Sequence, residues 1–316
     1  MFVIVGYVFI ILAAVIFSTM EIAGKLAVGL NPLQLNFLRF LIGGLILFPP
    51  TIKAVRNKKM KFKRDDLYYF LGTGFLCVVL SMSLFQLAIT FTKASTVAVI
   101  FSTNPVFTVM FAYLFLKEDL NSGTIISIVL SLIGIVCILN PFGTISDVKG
   151  IVLSILAAVT FSLYSVVGKL RSEKYGSITL NCISFLVGDV IMLLIILLSN
   201  LPVVSSMINL NGGLSFMYHI PIIYGISAAN IIPVIFLGIV VTGLGYMFYF
   251  MAMDETSATT ASIVFFIKPA LAPIFALLVL GEKIPINTVI GICFILIGSY
   301  FSFTAKSKAG VGEAES

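Results

Sequence analysis

The chain has 316 residues, of which 60% are hydrophobic and only 10% charged, with a mean hydropathy of +1.17 and a net charge of +6. A water-soluble domain carries about a quarter charged residues, so this chain has too few polar side chains to coat an aqueous surface. Soluble catalysis and nucleic-acid binding are both excluded, and the basic excess takes the meaning it has in membrane proteins, whose cytoplasmic loops retain Lys and Arg.

A membrane-crossing helix needs roughly 20 apolar residues. Apolar runs predict spans at 4–26, 33–52, 67–90, 95–116 and 121–140, then at 148–170, 178–199, 231–253, 258–280 and 285–304. Prolines are expected to break the fourth and ninth of these. No segment alternates in the manner of a membrane β-barrel strand, so the predicted fold class is an all-α membrane protein with ten transmembrane helices. The N-terminus lacks the charged region and cleavage site of a signal peptide and reads directly as the first span.

Basic residues orient the chain. Lys53, Arg56, Lys58, Lys59, Lys61, Lys63 and Arg64 follow the second span, Lys169, Arg171 and Lys174 follow the sixth, and Lys306 and Lys308 lie in the tail. With ten spans these regions share one side with the N-terminus, which places both termini in the cytoplasm. Tyr68 and Tyr69 beside the first basic linker fit an interfacial aromatic belt. The longest connection, around 200–229, faces outward and holds the lone His219, read as a solvated or interfacial side chain. Cys77, Cys137, Cys182 and Cys293 all sit in apolar runs and behave as small buried hydrophobes. Neither a metal site nor a cofactor is implied.

The chain repeats itself. Residues 13–26 read AAVIFSTMEIAGKL and residues 157–170 read AAVTFSLYSVVGKL. Farther along, Thr92, Ala94, Thr96, Phe101, Pro105, Phe111, Ala112, Glu118 and Gly134 match Thr256, Ala258, Thr260, Phe265, Pro269, Phe275, Ala276, Glu282 and Gly298 in register. In-register Lys, Glu and Pro are not what chance similarity between apolar helices produces. The predicted organisation is a five-helix repeat over 1–145, a second over 146–305, and a cytoplasmic tail over 306–316. Five is odd, so the second half crosses the membrane in the opposite sense. Inverted repeats of this kind are common in secondary transporters, where the substrate binds at the midplane between halves.

The run NPVFTVMFAYLFLKEDLNSGTIISIVLSLIGIVCIL at 104–139 and its counterpart KPALAPIFALLVLGEKIPINTVIGICFILIGSYF at 268–301 resemble the EamA-type transporters of the drug/metabolite transporter superfamily. Lys25 and Arg39 also look familial, whereas Lys268 and Asp189 match no family signature. The resemblance covers nearly the whole chain. It implies a two-repeat carrier with a central cavity in a prokaryotic plasma membrane, with export of amino acids or related metabolites as a frequent activity.

Ionisable residues within spans are costly and face a cavity, a partner or a substrate path. Glu21 and Lys25 are four apart and share a helix face. A local ion pair is one reading. The other is that Glu21, whose repeat partner is Ser165, recognises a substrate or a proton. Lys268 lies before Pro269, as Asn104 lies before Pro105. A proline leaves a backbone carbonyl free one turn earlier, so polar groups near Lys268 and Asn104 are expected to bind substrate. The alternative for Lys268 is a buried salt bridge to Asp189, which is read as structural. Ser18, Ser162 and Tyr246 are the further candidates for substrate contact. Lys25, Arg39, Glu118 and Glu282, at span ends, are read as structural or gating charges.

The expected activity is alternating-access transport of a small polar metabolite within the lipid bilayer, driven by a coupling proton or ion or facilitative, because no GxxxxGK[ST] phosphate loop exists. A carrier of phosphorylated or nucleotide-linked sugars is the second reading and would need more than one central cation. A membrane-embedded enzyme is disfavoured: it needs paired catalytic residues at one depth, and one loop histidine with a single central aspartate does not supply them.

Overall fold

The computed structural model describes residues 2–116, 122–139, 148–208, 213–255, 261 and 264–312. Their apolar runs are helical. Helix α1 comprises Phe2–Ser18 and Met20–Leu26, α2 is Pro32–Asn57, α3 is Arg64–Phe91, and α4 comprises Ala94–Phe101 and Asn104–Leu116. Then follow α5 (Ser122–Leu139), α6 (Val148–Lys169), α7 (Ser177–Ser199), α8 (Ile231–Glu255), α9 (Val264–Leu280) and α10 (Ile286–Gly312). Among the described residues α1, α2, α3, α4, α6, α7 and α8 are long and apolar enough to cross a membrane, and α9 and α10 hold the shorter apolar stretches Ile267–Leu280 and Ile286–Gly298. Each expected span thus has a helical counterpart, seven of them at full membrane length.

Local chemistry explains the helix boundaries. Asn31 caps α2 by accepting from Leu33 N (2.9 Å), while Gln34 reaches back to Asn31 N, and Pro32 occupies the first turn, where no N–H is needed. In α4 the expected break is present, at Ser102–Thr103. The carbonyl of Phe101, one turn before Pro105, accepts from Asn104 Nδ2 at 3.0 Å, so the preceding side chain supplies the donor that proline lacks. The expected break in the ninth span is not found: α9 runs without interruption through Pro269 and Pro273. Its proline carbonyls are tolerated because a membrane helix packed among others can bend without unwinding. An interruption that the sequence reading missed divides α1 at Thr19, whose hydroxyl donates to Ile16 O at 2.6 Å.

The two halves interlock rather than sit side by side. Helix α1 packs on α8 and α9, and reciprocally α6 packs on α3 and α4; α2 lies against α7 and α8, and α7 against α2 and α3. Helices α5 and α10 form a pair outside this core. The faces carrying the repeated residues point inward: Ala13, Ala14, Phe17 and Ser18 of α1 and Ala157, Ala158, Phe161 and Ser162 of α6 are all buried. Ser18 and Ser162 even make the same back-bond, to Ala14 O and Ala158 O. The outer surface is apolar, with Leu45, Leu114, Ile125, Leu132, Leu194 and Leu278 exposed, as lipid contact requires.

Segments of π-helix occur at Phe75–Ser81 in α3 and Leu237–Gly245 in α8, at equivalent places in the two halves. Wide turns of this type concentrate at functional sites. Here the first abuts α7 through glycine. A Cβ on Gly74 would lie 2.6 Å from Ser184 O and 2.7 Å from Gly188 N, and one on Gly188 would lie 2.6 Å from Gly74 O. Backbone meets backbone, so neither side can yield. The α5–α10 pair uses the same device at Gly134 and Gly291, whose added Cβ atoms would lie 2.8 and 2.7 Å from each other's carbonyl.

Polar contacts tie both ends. At the basic end Asp66 accepts from Arg171 (2.8 Å) and Lys174 (2.8 and 2.9 Å), and the Tyr69 hydroxyl donates to Val167 O and Gly168 O. The Asp66 carboxylate holds the Lys174 ammonium above the usual lysine value. That contribution is complete at neutral pH and is lost only as pH rises through the raised value. At the other end Glu282 accepts from Ala94 N (2.9 Å), Ser95 N (3.0 Å) and Ser95 Oγ (2.8 Å), and Lys25 donates to Thr92 O (2.7 Å).

The glycine contact yields a paired prediction. Gly74→Ala should lower the thermal midpoint of the detergent-purified protein, at a cost of about 1–3 kcal/mol. Gly72→Ala, whose Cβ meets nothing within 4 Å, should leave it unchanged or slightly raised. Equal midpoints for the two variants, read by fluorescence-detected size exclusion after heating, would refute the backbone contact.

Candidate functional site

Beyond the Thr19 interruption, the last part of α1 packs on α8 and α9 of the other half. Glu21 follows two residues later, and its carboxylate meets the Lys268 ammonium of α9 at 2.5 Å between Oε1 and Nζ. Glu21 is 1% exposed and Lys268 0%. Glu21 Oε2 has no hydrogen-bond partner among the described residues. Lys268 Nζ also lies over the rings of Phe101 (4.9 Å) and Phe85 (5.6 Å). Stripping water from either ion alone costs several kcal/mol, so each makes the other tolerable.

A second cation lies beside this pair. Arg39 of α2 is fully buried, with Nη2 3.3 Å from Met82 Sδ and the guanidinium 4.8 Å from the Phe40 ring centroid and 6.0 Å from that of Phe85. Its Nε and Nη1 have no hydrogen-bond partner among the described residues, the Tyr246 side chain lies alongside, and Glu21 is within electrostatic reach. The sequence reading put Arg39 near a span end as a structural or gating charge; the fold buries it in electrostatic reach of Glu21 and Lys268, because the α2 face carrying it packs inward. Asp189 of α7 is 3% exposed, and neither carboxylate oxygen has a partner among the described residues. The core therefore holds two acids and two bases.

Aromatic rings wall the site. Phe17 stands 5.3 Å from Tyr246, Tyr249 5.3 Å from Phe265, Phe161 5.7 Å from Phe265, and Phe101 5.3 Å from Phe161. They come from α1, α4, α6, α8 and α9, so both halves contribute. Polar side chains stitch the surrounding backbone: Asn36 Nδ2 donates to Val78 O (2.8 Å), a carbonyl in the first π-segment, and Ser81 Oγ donates to Ala157 O (3.0 Å).

Of the expected substrate contacts, the structure brings Glu21, Lys268 and Tyr246 together. Ser18, Ser162 and Asn104 are buried nearby but donate to backbone: Ser18 to Ala14 O, Ser162 to Asn104 O and Ala158 O (both 2.7 Å), and Asn104 to Phe101 O. Two pairings weighed from sequence are corrected. Lys268 pairs with Glu21 and not with Asp189, and Glu21 does not pair with Lys25, whose ammonium goes to Thr92 O. Glu21 is buried against α9, whereas Lys25, one turn later, is only half-buried and reaches the backbone of Thr92. Glu282 is a helix-terminal anchor across the halves, as its span-end position suggested. Glu118 lies outside the described residues. The sequence reading missed the π-segments; the glycines Gly74, Gly238, Gly243 and Gly245 were the available signal.

The ion pair can be tested by stability. Glu21→Gln should cost about 3–5 kcal/mol, because the Lys268 ammonium remains buried without its partner. The double variant Glu21→Leu/Lys268→Met should recover most of that loss. Thermal midpoints in detergent give the comparison, and a double variant no better than the single one would show that the two charges are not coupled.

Comparison with known proteins agrees with the fold and the repeat. A model of the EamA-like transporter family matches residues 4–140 and again residues 148–304. The chain is 44% identical over 313 residues to an uncharacterized transporter of Clostridium kluyveri, covering 96% of this chain and 94% of that one. It is 25% identical to an uncharacterized transporter of Archaeoglobus fulgidus, covering 86% and 88%, and 22% identical to the uncharacterized transporter YoaV of Bacillus subtilis, covering 89% and 90%. A crystal structure at 15% identity shares the fold with a TM-score of 0.66, over 96% of this chain and 98% of that one. With two copies of the family's unit spanning nearly its whole length, this integral membrane protein belongs to the EamA-like transporter family.

Proposed function

We propose that the chain is a secondary carrier for a small zwitterionic metabolite, an amino acid or close relative, which it exports by alternating access. The observation that carries this reading is the buried Glu21–Lys268 pair, with one ion from each half. A substrate bearing an ammonium and a carboxylate can replace each partner: its ammonium goes to Glu21 and its carboxylate to Lys268. The exchange adds no net charge to a medium that penalises unpaired ions. It also separates α1 from α9, which links substrate binding to relative movement of the halves.

In this reading the protein comprises ten spans as two inverted units, 1–145 and 146–305, followed by a tail over 306–316. Two contacts support the inversion. Lys25, at the end of α1, donates to Thr92 O, and Gly150, at the start of α6, packs on the same Thr92. The first helices of the two halves therefore run in opposite senses. The basic linkers favour cytoplasmic termini. The Asp66–Arg171–Lys174 cluster on that side and the Glu282–Ser95 contact on the other act as the two gates, both closed here, with the central charges sealed between them.

A second reading, a carrier of organic phosphates or nucleotide-linked sugars, gains from Arg39, which supplies the second buried cation beside Phe85. Glu21 offsets part of that positive charge, so the zwitterion fits the site better than an anion does. Counterflow of the twenty 14C-labelled L-amino acids into proteoliposomes, with and without excess glucose 6-phosphate, separates the two. Amino-acid counterflow that sugar phosphate does not inhibit is expected. Lys268→Ala should raise the half-saturation concentration roughly 10- to 100-fold, as loss of a charge-assisted contact does, while Lys268→Arg retains most of the affinity. Unchanged affinity in Lys268→Ala would exclude the carboxylate role.

A further inference from the structure

Of the four charged groups in the core, three have a physical partner. Glu21 and Lys268 have each other, and the Arg39 guanidinium lies on aromatic faces and methionine sulfur, the soft surroundings that suit a weakly hydrated cation. Asp189 has none. Both of its oxygens are buried, and neither accepts a hydrogen bond from any described residue. On the helices packed against α7, Arg39 of α2 and Cys77 of α3 are in electrostatic reach of Asp189, and Tyr246 of α8 stands against Phe185, one turn before Asp189. Elsewhere on these elements Tyr249 of α8 packs on Phe265, and at the basic end Asp66 takes Arg171 and Lys174, Tyr69 donates to α6, and Asp254 accepts from Ser177.

A carboxylate so placed has two ways to avoid an unbalanced charge: it takes up a proton, or a cation moves to it. Arg39 is within electrostatic reach of Asp189 without forming an ion pair with it, and its Nε and Nη1 are themselves without hydrogen-bond partners among the described residues. Two complementary groups are thus held apart in this conformation. Arg39 also acts electrostatically on both Glu21 and Lys268. A change of charge on Asp189 therefore reaches the ion pair through the position of Arg39. The backbone around it suits a moving part, since Gly188, the preceding residue, bears on Gly74 and Val78 at the first π-segment.

We propose that Asp189 is a proton-binding site that couples this carrier to the proton gradient. With a proton on its carboxyl oxygen, Asp189 is neutral and Arg39 stays beside the Glu21–Lys268 pair. When the proton leaves to water on one side of the membrane, the carboxylate draws Arg39 toward α7 and away from the pair. Rebinding of a proton from the other side resets the site. The proton is the only species gained or lost, and no other bond is made or broken. The proposal rests on the carrier reading above, and the assay keeps the two apart.

The full-length chain is reconstituted in proteoliposomes with the labelled amino-acid mixture as probe. Counterflow at equal pH measures substrate exchange alone. Accumulation under an imposed gradient of one pH unit, with a trapped pH dye, measures coupling. The wild type should show counterflow, a dye signal upon substrate addition, and accumulation of up to about 10-fold per pH unit for one proton per substrate. Asp189→Asn should retain counterflow within about 2-fold and lose both accumulation and dye signal, and Asp189→Glu should restore coupling with a displaced pH profile. If the Asn variant does not purify as a single species, the Glu variant decides, and a pH profile identical to that of the wild type overturns the proposal. Gradient-driven accumulation persisting in Asp189→Asn also overturns it, as does wild-type counterflow with no response to pH. Absence of counterflow in the wild type rejects the amino-acid carrier reading itself, and the inference with it.

Discussion

Charge balance in a medium that cannot solvate charge organises this molecule. Lipid and close-packed side chains surround Glu21, Arg39, Asp189 and Lys268, so each must be neutralised, paired or laid on a polarisable surface. The Glu21–Lys268 contact meets that requirement by joining α1 of one half to α9 of the other. Everything around it either holds those helices in register or walls the pair from solvent. Removing one partner would leave the other charge buried and unpaired, the costliest way to break such a contact.

The scaffold that delivers these charges is built by exchange between halves. Because α1 packs on α8 and α9 while α6 packs on α3 and α4, neither half completes its own core. Close approach at Gly74–Gly188 and Gly134–Gly291 fixes helix spacing by backbone contact, which a flexible side chain cannot relax. Against this rigid packing stand the softer places: the Thr19 turn in α1, the break at Ser102–Thr103 in α4, and the π-segments of α3 and α8. They lie along the same helices that carry or flank the central charges. Rigid spacing at the glycines with irregular turns near the centre is an arrangement in which halves can rock without losing their packing.

Much of this was legible in the sequence, for identifiable reasons. The helices were visible because burying a backbone in lipid demands long apolar runs. The repeat was visible because the matched Ala13, Ala14, Phe17, Ser18 face and its partner Ala157, Ala158, Phe161, Ser162 face are both core, where size is constrained. Glu282 was legible as a terminal anchor because a carboxylate at a helix boundary has unpaired N–H groups near it. The pairing of charges was not legible. The spacing of Glu21 and Lys25 suggested a local pair, yet the packing of α1 on α9 gives Glu21 a partner there and leaves Lys25 to the Thr92 carbonyl. The position of Arg39 near a span end was legible, whereas its burial beside the ion pair depends on how α2 packs. Pro269 was expected to break a helix that accommodates it, while Asn104 repairs the carbonyl beside Pro105.

The sequence alone determined that the protein lives in a membrane, that it is helical, that it is built from a duplicated unit, and which few ionisable residues lie inside. Composition and periodicity decide these, since they are properties of one segment and its solvent. Only the tertiary structure decided which charge meets which. Glu21 and Lys268 are 247 positions apart in the sequence, and their contact depends on the packing of α1 on α9. The same holds for Asp189, which periodicity placed within a span but which only the packing of α2, α3 and α8 around α7 left without a partner. The scarcity of charge marked the residues to consider; the fold assigned them their relations.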